Sequence, residues 1–320
     1  MKLSVIIPCH NEAGNTARLF ERFEKEFGGL MQETEFLFIN DGSTDTTLHE
    51  LKSLLGRPCG GIRIFDFSRN FGKEAAILAG MRHAVGEYTA IVDGDGQQNP
   101  KYVVRMLNMI LENPDIDCVA AFQKERKENG FSKFCKHRFY HMMNRLCSVH
   151  LREAASDFRV FNSNFREAVL SLPELCRFSK GIFSWVGFRT EYIEYQVEER
   201  ISGTTNWSFR DLMQYAFVGI VAFSTKPLEI AAFTGGLYTL IAFIATVYVF
   251  IKAMVLGDPV AGYPTIMCVL LFSFGLLFFF IGILGKYIAN SYIESKRRPQ
   301  YLIRHTYDSE KGRVADEEKI

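Results

Sequence analysis

Two familiar phosphate-binding sequences are missing from this chain. No G-x-G-x-x-G follows the first apolar run, where "PCHNEAGN" (8–15) stands instead, and no G-x-x-x-x-G-K-[ST] occurs anywhere. The ordinary dinucleotide and P-loop sites are therefore excluded. A surplus of one charge is missing as well. Lys and Arg number 37 against 36 Asp and Glu, a net charge of +1, so nothing in the bulk composition points to nucleic acid. Closely spaced cysteines are absent. The seven (Cys9, Cys59, Cys118, Cys135, Cys147, Cys176 and Cys268) are scattered and odd in number. That pattern excludes a zinc knuckle and suits a reducing compartment better than a disulfide framework. A secretory leader is not expected either. The apolar run in "MKLSVIIPCHNE" is too short for one and ends at Pro8 and Asn11. It reads as a first strand, which leaves the N-terminal part in the cytosol.

Hydrophobic residues make up 48% of the chain, with 29 Phe, but they are unevenly placed. Up to about residue 225 short apolar runs recur: "LSVIIP" (3–8), "EFLFIND" (35–41), "IRIFDF" (62–67), "YTAIVD" (88–93) and "CVAAF" (118–122). Nearly continuous apolar runs of this length mark strands buried on both faces. Helical patterns lie between them, at about 12–27, 44–55, 73–84 and 100–112. Strand alternating with helix predicts an α/β fold, a mostly parallel sheet with helices on both faces. Ligands gather outside the carboxyl ends of such strands. The polar motifs fall there: "PCHNE", "NDGSTD", "SRNFGKE" and "DGDGQQ" follow the first four strands in turn. Residues 131–148 read as an amphipathic helix with a basic face (Lys133, Lys136, Arg138, Arg145), and 191–197 alternate as a strand.

Beyond residue 225 the pattern changes. Residues 207–227 read as an amphipathic juxtamembrane helix, 228–257 as a first transmembrane helix and 264–285 as a second. Each span exceeds the roughly 20 apolar residues a bilayer requires. The connection "DPVAGYP" lacks Lys and Arg, whereas Arg210, Lys226, Lys286, Lys296, Arg297 and Arg298 flank the pair. The positive-inside rule then puts both ends in the cytosol and the short loop outside. The tail, 286–320, is expected to be cytosolic and mobile at its end.

"AIVDGDGQQNP" (90–100) carries the chemistry. Asp93 and Asp95 are delivered one residue apart onto a glycine turn. Asp and Gly are good turn formers. Two carboxylates also offer hard oxygens to Mg²⁺ or Mn²⁺, with diphosphate and water completing an octahedron. Alone an Asp-x-Asp is weak, but with three other strand-end motifs beside it the signal is strong. Bland roles remain open elsewhere. His10 caps a turn, Asp45 is as good a helix cap as a ligand, and Trp185 suits core or membrane-surface packing better than a sugar platform. Lys124, Arg126 and Lys127 form either a solvated loop or one that closes on a diphosphate.

"SVIIPCHNE", "FINDGSTDTT", "SRNFGKEAAILAG" and "DGDGQQNP", followed by "SDFRVFN" (156–162) and "ISGTTNW" (201–207), resemble the family-2 glycosyltransferases of GT-A fold. Within them the order of motifs is similar to the polyprenyl-phosphate glycosyltransferases, over nearly the whole chain. The resemblance implies a GT-A catalytic domain over 1–206 and an inverting transfer from a nucleotide sugar, UDP-linked by preference, to a polyprenyl phosphate. It implies Mg²⁺ or Mn²⁺ held by Asp93, Asp95 and Gln97. It places the donor against Pro8, Asn11, Glu12, Asp41, Lys73 and Asp93, and the acceptor phosphate against Arg159, Arg200 and Asn206. Asp157 and Asp95 become the catalytic carboxylates, with Asp157 orienting the acceptor or acting as base. The implied setting is a multi-pass protein of the inner membrane with its catalytic domain in the cytosol, open to homo-oligomerisation and without nucleic acid. Two departures stand out. D-A-D-L-Q has become D-G-D-G-Q, which is expected to loosen the turn, and Thr205 and Asn206 replace the Ser-Lys that commonly follows Arg200. The alternatives are a processive polysaccharide synthase and a non-catalytic nucleotide-sugar-binding membrane protein. The first would carry a Q-x-x-R-W motif and more spans, but Gln214 is followed by "YAFV".

Overall fold

Apolar runs too short for helices, each followed by a helical segment, wind the chain into a sheet with covered faces. The computed structural model describes residues 1–123, 155–175, 177–198, 224, 226–256, 262–309 and 314–315. In chain order these form β1 (Leu3–Cys9), α1 (Thr16–Phe27), β2 (Thr34–Asn40), α2 (Thr47–Ser53), β3 (Gly61–Phe67), α3 (Lys73–His83), β4 (Tyr88–Ile91), α4 (Lys101–Glu112) and β5 (Cys118–Gln123). There follow β6 (Ala155–Asn162), α5 (Ser163–Leu170), α6 (Ser179–Trp185), β7 (Thr190–Tyr195), α7 (Lys226–Leu256), α8 (Tyr263–Lys296), β8 (Ile303–Asp308) and β9 (Val314–Ala315).

The strand order is β7-β5-β6-β4-β1-β2-β3-β8-β9. The central β4-β1-β2-β3 block is parallel, as is the β5–β7 pair. β6 lies antiparallel between β4 and β5, and β8 antiparallel against β3. The expected mostly parallel sheet is present as a mixed one. Alternation along β1 splits the core in two. Val5 and Ile7 face Phe20 and Phe23 of α1 and Val103 and Leu107 of α4. Ile6 faces Ala76 and Leu78 of α3, with Phe165 and Ile182 from α5 and α6. Each fully buried Phe or Leu contributes roughly 1.5–3 kcal/mol. Gly80 sets the approach of α3, because a Cβ there would stand 2.2 Å from Ile6 Cγ2.

The C-terminal region departs from expectation in two ways. The helix expected to stop at 285 continues to Lys296 and ends where Arg297 turns left-handed at φ 48°, two residues before Pro299. The segment expected to be a polar tail then returns to the sheet as β8. Its Tyr307 pairs with Ile64, and Tyr301 stacks on Phe67 at 5.1 Å. Among the described residues one segment, Phe272–Lys296, meets the length and apolarity needed to cross a membrane, and none of it is buried in the protein. The 131–148 helix lies outside the described residues, as does nearly all of 207–227.

Candidate functional site

The carboxyl ends of β1 to β4 lie side by side, so the four polar motifs meet at one edge of the sheet. Short hydrogen bonds tie the first two loops together. Asn11 takes a left-handed conformation at φ 55°, where Asn is tolerated. Its N–H donates to Ser43 Oγ at 3.0 Å, and its Oδ1 accepts from Thr44 N at 2.8 Å. Glu12 N donates to Thr47 Oγ1 at 2.8 Å. Asp45 accepts from Thr47 N and from Ala13 N, so it caps the start of α2 and bridges the loops. Burial works against its charge, but the Thr47 hydroxyl and these N–H groups hold its carboxyl below the usual value.

Asp41 is buried, and its two carboxylate oxygens accept from Phe71 N at 2.6 Å and Gly72 N at 2.9 Å. It thereby clamps the loop that opens α3. His10 Nδ1 lies 2.8 Å from Asp41 O, and its Nε2 lies 3.0 Å from Asn70 Nδ2. That histidine joins three strand ends, a wider role than the turn cap expected of it.

α3 begins with Lys73, whose Nζ stands 2.6 Å from Asp93 Oδ1 and 3.0 Å from Asp157 Oδ2. Asp157 comes from β6, so the antiparallel strand carries the "SDF" motif to the parallel edge. Burial would raise the Asp157 pKa, yet Lys73, then Lys180 and Arg159, hold it down at about 2. Its Oδ1 is buried without a partner. Burial also opposes the Lys73 charge, but Asp93 and Asp157 outweigh it and hold the ammonium above its ordinary value. Next to Lys73, Glu74 accepts from Ser179 N at 3.1 Å and from Ser179 Oγ. Burial, reinforced by Asp157, pushes Glu74 up to about 7.

The Asp93–Asp95 turn is tightly made. Gln98 Nε2 donates to Asp93 Oδ2 at 2.8 Å, and Asp93 N donates to Gln98 Oε1 at 2.9 Å. Gln97 contributes backbone: its N–H donates to Asp95 Oδ1 at 3.0 Å, and its carbonyl accepts from Glu198 N at 3.1 Å. Gly94 does not loosen the turn, contrary to expectation. A Cβ there would stand 2.8 Å from Pro8 O and 3.2 Å from Cys9 Sγ, so the glycine permits the turn to press on the end of β1. Gly96 has φ 71°, and its carbonyl accepts from Arg22 Nη1 at 2.7 Å.

Thus Pro8, Asn11, Glu12, Asp41, Lys73, Asp93, Asp95, Gln97 and Asp157 all belong to this edge or the loops braced against it. Arg159 is 5% exposed and lies beside Asp157, its Nε donating to Asp157 O at 3.4 Å. Its Nη2 donates to Ser156 O at 3.0 Å, and its guanidinium lies 3.9 Å above the Phe183 ring. Arg200, Asn206, Lys124, Arg126 and Lys127 lie outside the described residues. Trp185 is 55% exposed, so the core option for it is excluded. Sequence reasoning missed Gln98, Glu74 and Ser179. Gln98 was visible beside Gln97 in the same motif, but nothing local marked Ser179, which is 105 positions from its partner.

Residues 4–170 match the family described as Glycosyl transferase family 2. A glycosyltransferase-named protein of Bacillus subtilis (strain 168), CsbB, is 39% identical over 94% of this chain and 91% of its own length. The bactoprenol glucosyl transferase of Shigella phage SfV is 34% identical, covering 95% of this chain and 99% of the relative. A solved glucosyl-3-phosphoglycerate synthase from Mycobacterium tuberculosis is 16% identical, covers 69% of this chain and 76% of that one, and superposes with a TM-score of 0.49.

Proposed function

The chain belongs to glycosyl transferase family 2 and is a glycosyltransferase; on that premise we propose that it moves a sugar from a nucleotide sugar to the phosphate of a polyprenyl phosphate at the cytosolic face of a membrane. The observation that carries this reading is the bridge from Lys73 to Asp93 and Asp157, which sets one cation among carboxylates at the carboxyl edge of the sheet. The full-length likeness to a protein named bactoprenol glucosyl transferase supports the lipid acceptor.

The donor's diphosphate goes to the Asp93–Asp95 turn. Among the described residues no group of three or more His, Cys, Asp or Glu side chains gathers to hold a metal by itself. Asp93 and Asp95 offer hard carboxylate oxygens on one turn and would hold Mg²⁺ or Mn²⁺ when the donor binds. When bound, such an ion neutralises charge on the departing diphosphate. Asp41 and the Asn11–Glu12 loop form the nucleoside side, and uridine is the preferred base. In the transfer an acceptor phosphate oxygen bonds to the anomeric carbon. The bond to the diphosphate breaks, its electron pair leaves with the nucleoside diphosphate, and the anomeric centre inverts. A phosphate monoester has a second pKa of about 6, so the acceptor is already largely deprotonated. Asp157, held at about 2 by its basic neighbours against burial, stays ionised and positions the Lys73 ammonium at the edge where the acceptor phosphate arrives; it need not take a proton.

The membrane arrangement follows the same logic. α7 has 31 residues and α8 has 34, each longer than the roughly 30 Å bilayer core at 1.5 Å per residue. β8 returns to pair with β3, which keeps the Lys296 end of α8 on the side of the catalytic sheet. Two crossings with the 257–262 connection outside satisfy that constraint. The test uses membranes containing the full chain, supplied in turn with labelled nucleotide sugars and undecaprenyl phosphate, followed by extraction of lipid. A single labelled sugar on the lipid supports the proposal. A polymer would point to a processive synthase, and no transfer from any donor would refute the catalytic reading.

A further inference from the structure

A cavity of about 430 Å³ lies between the start of α3 and the far end of α8. Resting on the function just proposed, we propose that this cavity receives the acceptor's phosphate together with the first part of its apolar chain. Three cations line it: Arg177 on the loop before α6, and Lys296 and Arg298 at the end of the membrane helix. Arg177 is 9% exposed. Its Nη1 and Nη2 donate to Leu172 O and Val169 O at 3.0 and 3.3 Å, while its Nε has no partner. Gln300, also on the cavity wall, donates through Nε2 to Glu174 O, and its Oε1 is buried and unpartnered. Both unpartnered atoms are closed off from solvent, so the groups a ligand in the cavity would meet are the exposed Lys296 and Arg298.

The remaining wall is apolar, with Phe71 on one side and Ile293 of α8 on the other. Ile293 belongs to the apolar segment Phe272–Lys296, so the wall continues along the helix proposed to cross the bilayer. A ligand that suits both halves is an amphiphile with an anionic phosphate head. Guanidinium and ammonium groups supply charge-assisted donors for phosphate oxygens. Glu74 lines the cavity and adjoins Lys73, whose ammonium bridges Asp93 and Asp157. Arg159, the cation that the sequence offered for this task on β6, is already committed to Ser156 O and the Phe183 ring. The cavity is held in shape by bonds across the α8 end. Leu175 N donates to Glu294 Oε1 at 2.9 Å, and Tyr301 stacks on Phe67.

The test uses the full chain in detergent micelles and the double variant Lys296→Gln, Arg298→Gln. Both side chains are exposed, so the fold should hold, and thermal melting verifies that. Calorimetry measures binding of a ten-carbon prenyl phosphate, the matching prenol, inorganic phosphate and UDP. Removing two charge-assisted contacts should weaken prenyl phosphate binding about ten- to a hundredfold. UDP binding should not change, and prenol should bind weakly and equally to both proteins. If both proteins bind prenyl phosphate equally tightly, the cavity assignment is wrong while the lipid-phosphate function stands. If the wild type binds inorganic phosphate as tightly as prenyl phosphate, the cavity is a free-phosphate site and the proposal falls. If the wild type binds UDP but no prenyl phosphate, the functional reading itself fails.

Discussion

Lys73 Nζ lies 2.6 Å from Asp93 Oδ1, so the first residue of α3 neutralises the carboxylate at the end of β4. The same ammonium reaches Asp157, which β6 supplies from more than 60 residues further along the chain. Its removal takes away the cation shared by Asp93 and Asp157 and leaves Asp157 to Lys180 and Arg159. Lys73→Met should therefore lower transfer by at least about a hundredfold, the effect of losing several kcal/mol of charge stabilisation. It should also change the pH dependence of stability. In the wild type Asp157 is held at about 2, below its usual range, so its contribution is present above the unfolded value and is lost as pH falls toward 2. Without Lys73 only Lys180 and Arg159 oppose burial, so the Asp157 pKa rises and protonation costs the fold less. The melting-temperature deficit of Lys73→Met should shrink as pH is lowered from 7 to 5. A deficit that grows over that range would contradict the bridge.

Glu74 titrates in the opposite sense. Burial first, and Asp157 second, push it up to about 7, so ionising it costs stability as pH rises from the unfolded carboxylate value through 7. Glu74→Gln keeps an oxygen for the Ser179 donors and removes that cost. Relative to wild type its melting temperature should improve between pH 5 and pH 8. A pH-independent difference would show that Glu74 carries no unfavourable charge in the folded protein.

Asp95→Asn should fold normally, since Asn keeps an oxygen for the Gln97 N–H. Transfer should fall by about a hundredfold or more, as expected when several kcal/mol of Lewis-acid stabilisation are lost. Chelation of the wild type with excess EDTA should do the same, and added Mg²⁺ or Mn²⁺ should restore activity. Full turnover in excess chelator would remove the metal from the account.

Gly94→Ala should cost about 1–3 kcal/mol, because the new methyl meets the Pro8 carbonyl, which β1 holds in place. Gly72→Ala offers a comparison. Its φ of 96° is unfavourable for Ala, yet no atom lies within 4 Å of the added carbon. Chemical denaturation gives both costs, and donor affinity should fall for Gly94→Ala, whose turn carries Asp93 and Asp95. Equal donor affinity in Gly94→Ala and wild type would detach that turn from the donor.

The alternating core strands and their polar ends could be read directly from residues 3–122, because buried parallel strands announce themselves by continuous apolar runs. β6 and β8 could not. "SDFRVFN" and "IRHTYD" are short and mixed in character, and they become strands only because β4 and β3 present open edges to them. The same division holds in the site. Asp41, Asp93 and Asp95 follow strands directly, so their gathering at one edge needed only the strand order. Gln98, Glu74 and Ser179 are set by side-chain contacts that no local pattern encodes.

The parallel core, the carboxylate turn and the apolar segments near the C-terminus are legible in the residues alone, since each rests on local hydrophobic pattern and residue chemistry. Long-range packing alone brought Lys73 between Asp93 and Asp157, set Arg159 against Ser156 and Phe183, and returned the chain beyond the apolar helix to complete the sheet. The physical reason is range. Pattern reports which face of an element avoids water, whereas the pairing of one charge with another depends on which distant elements pack together.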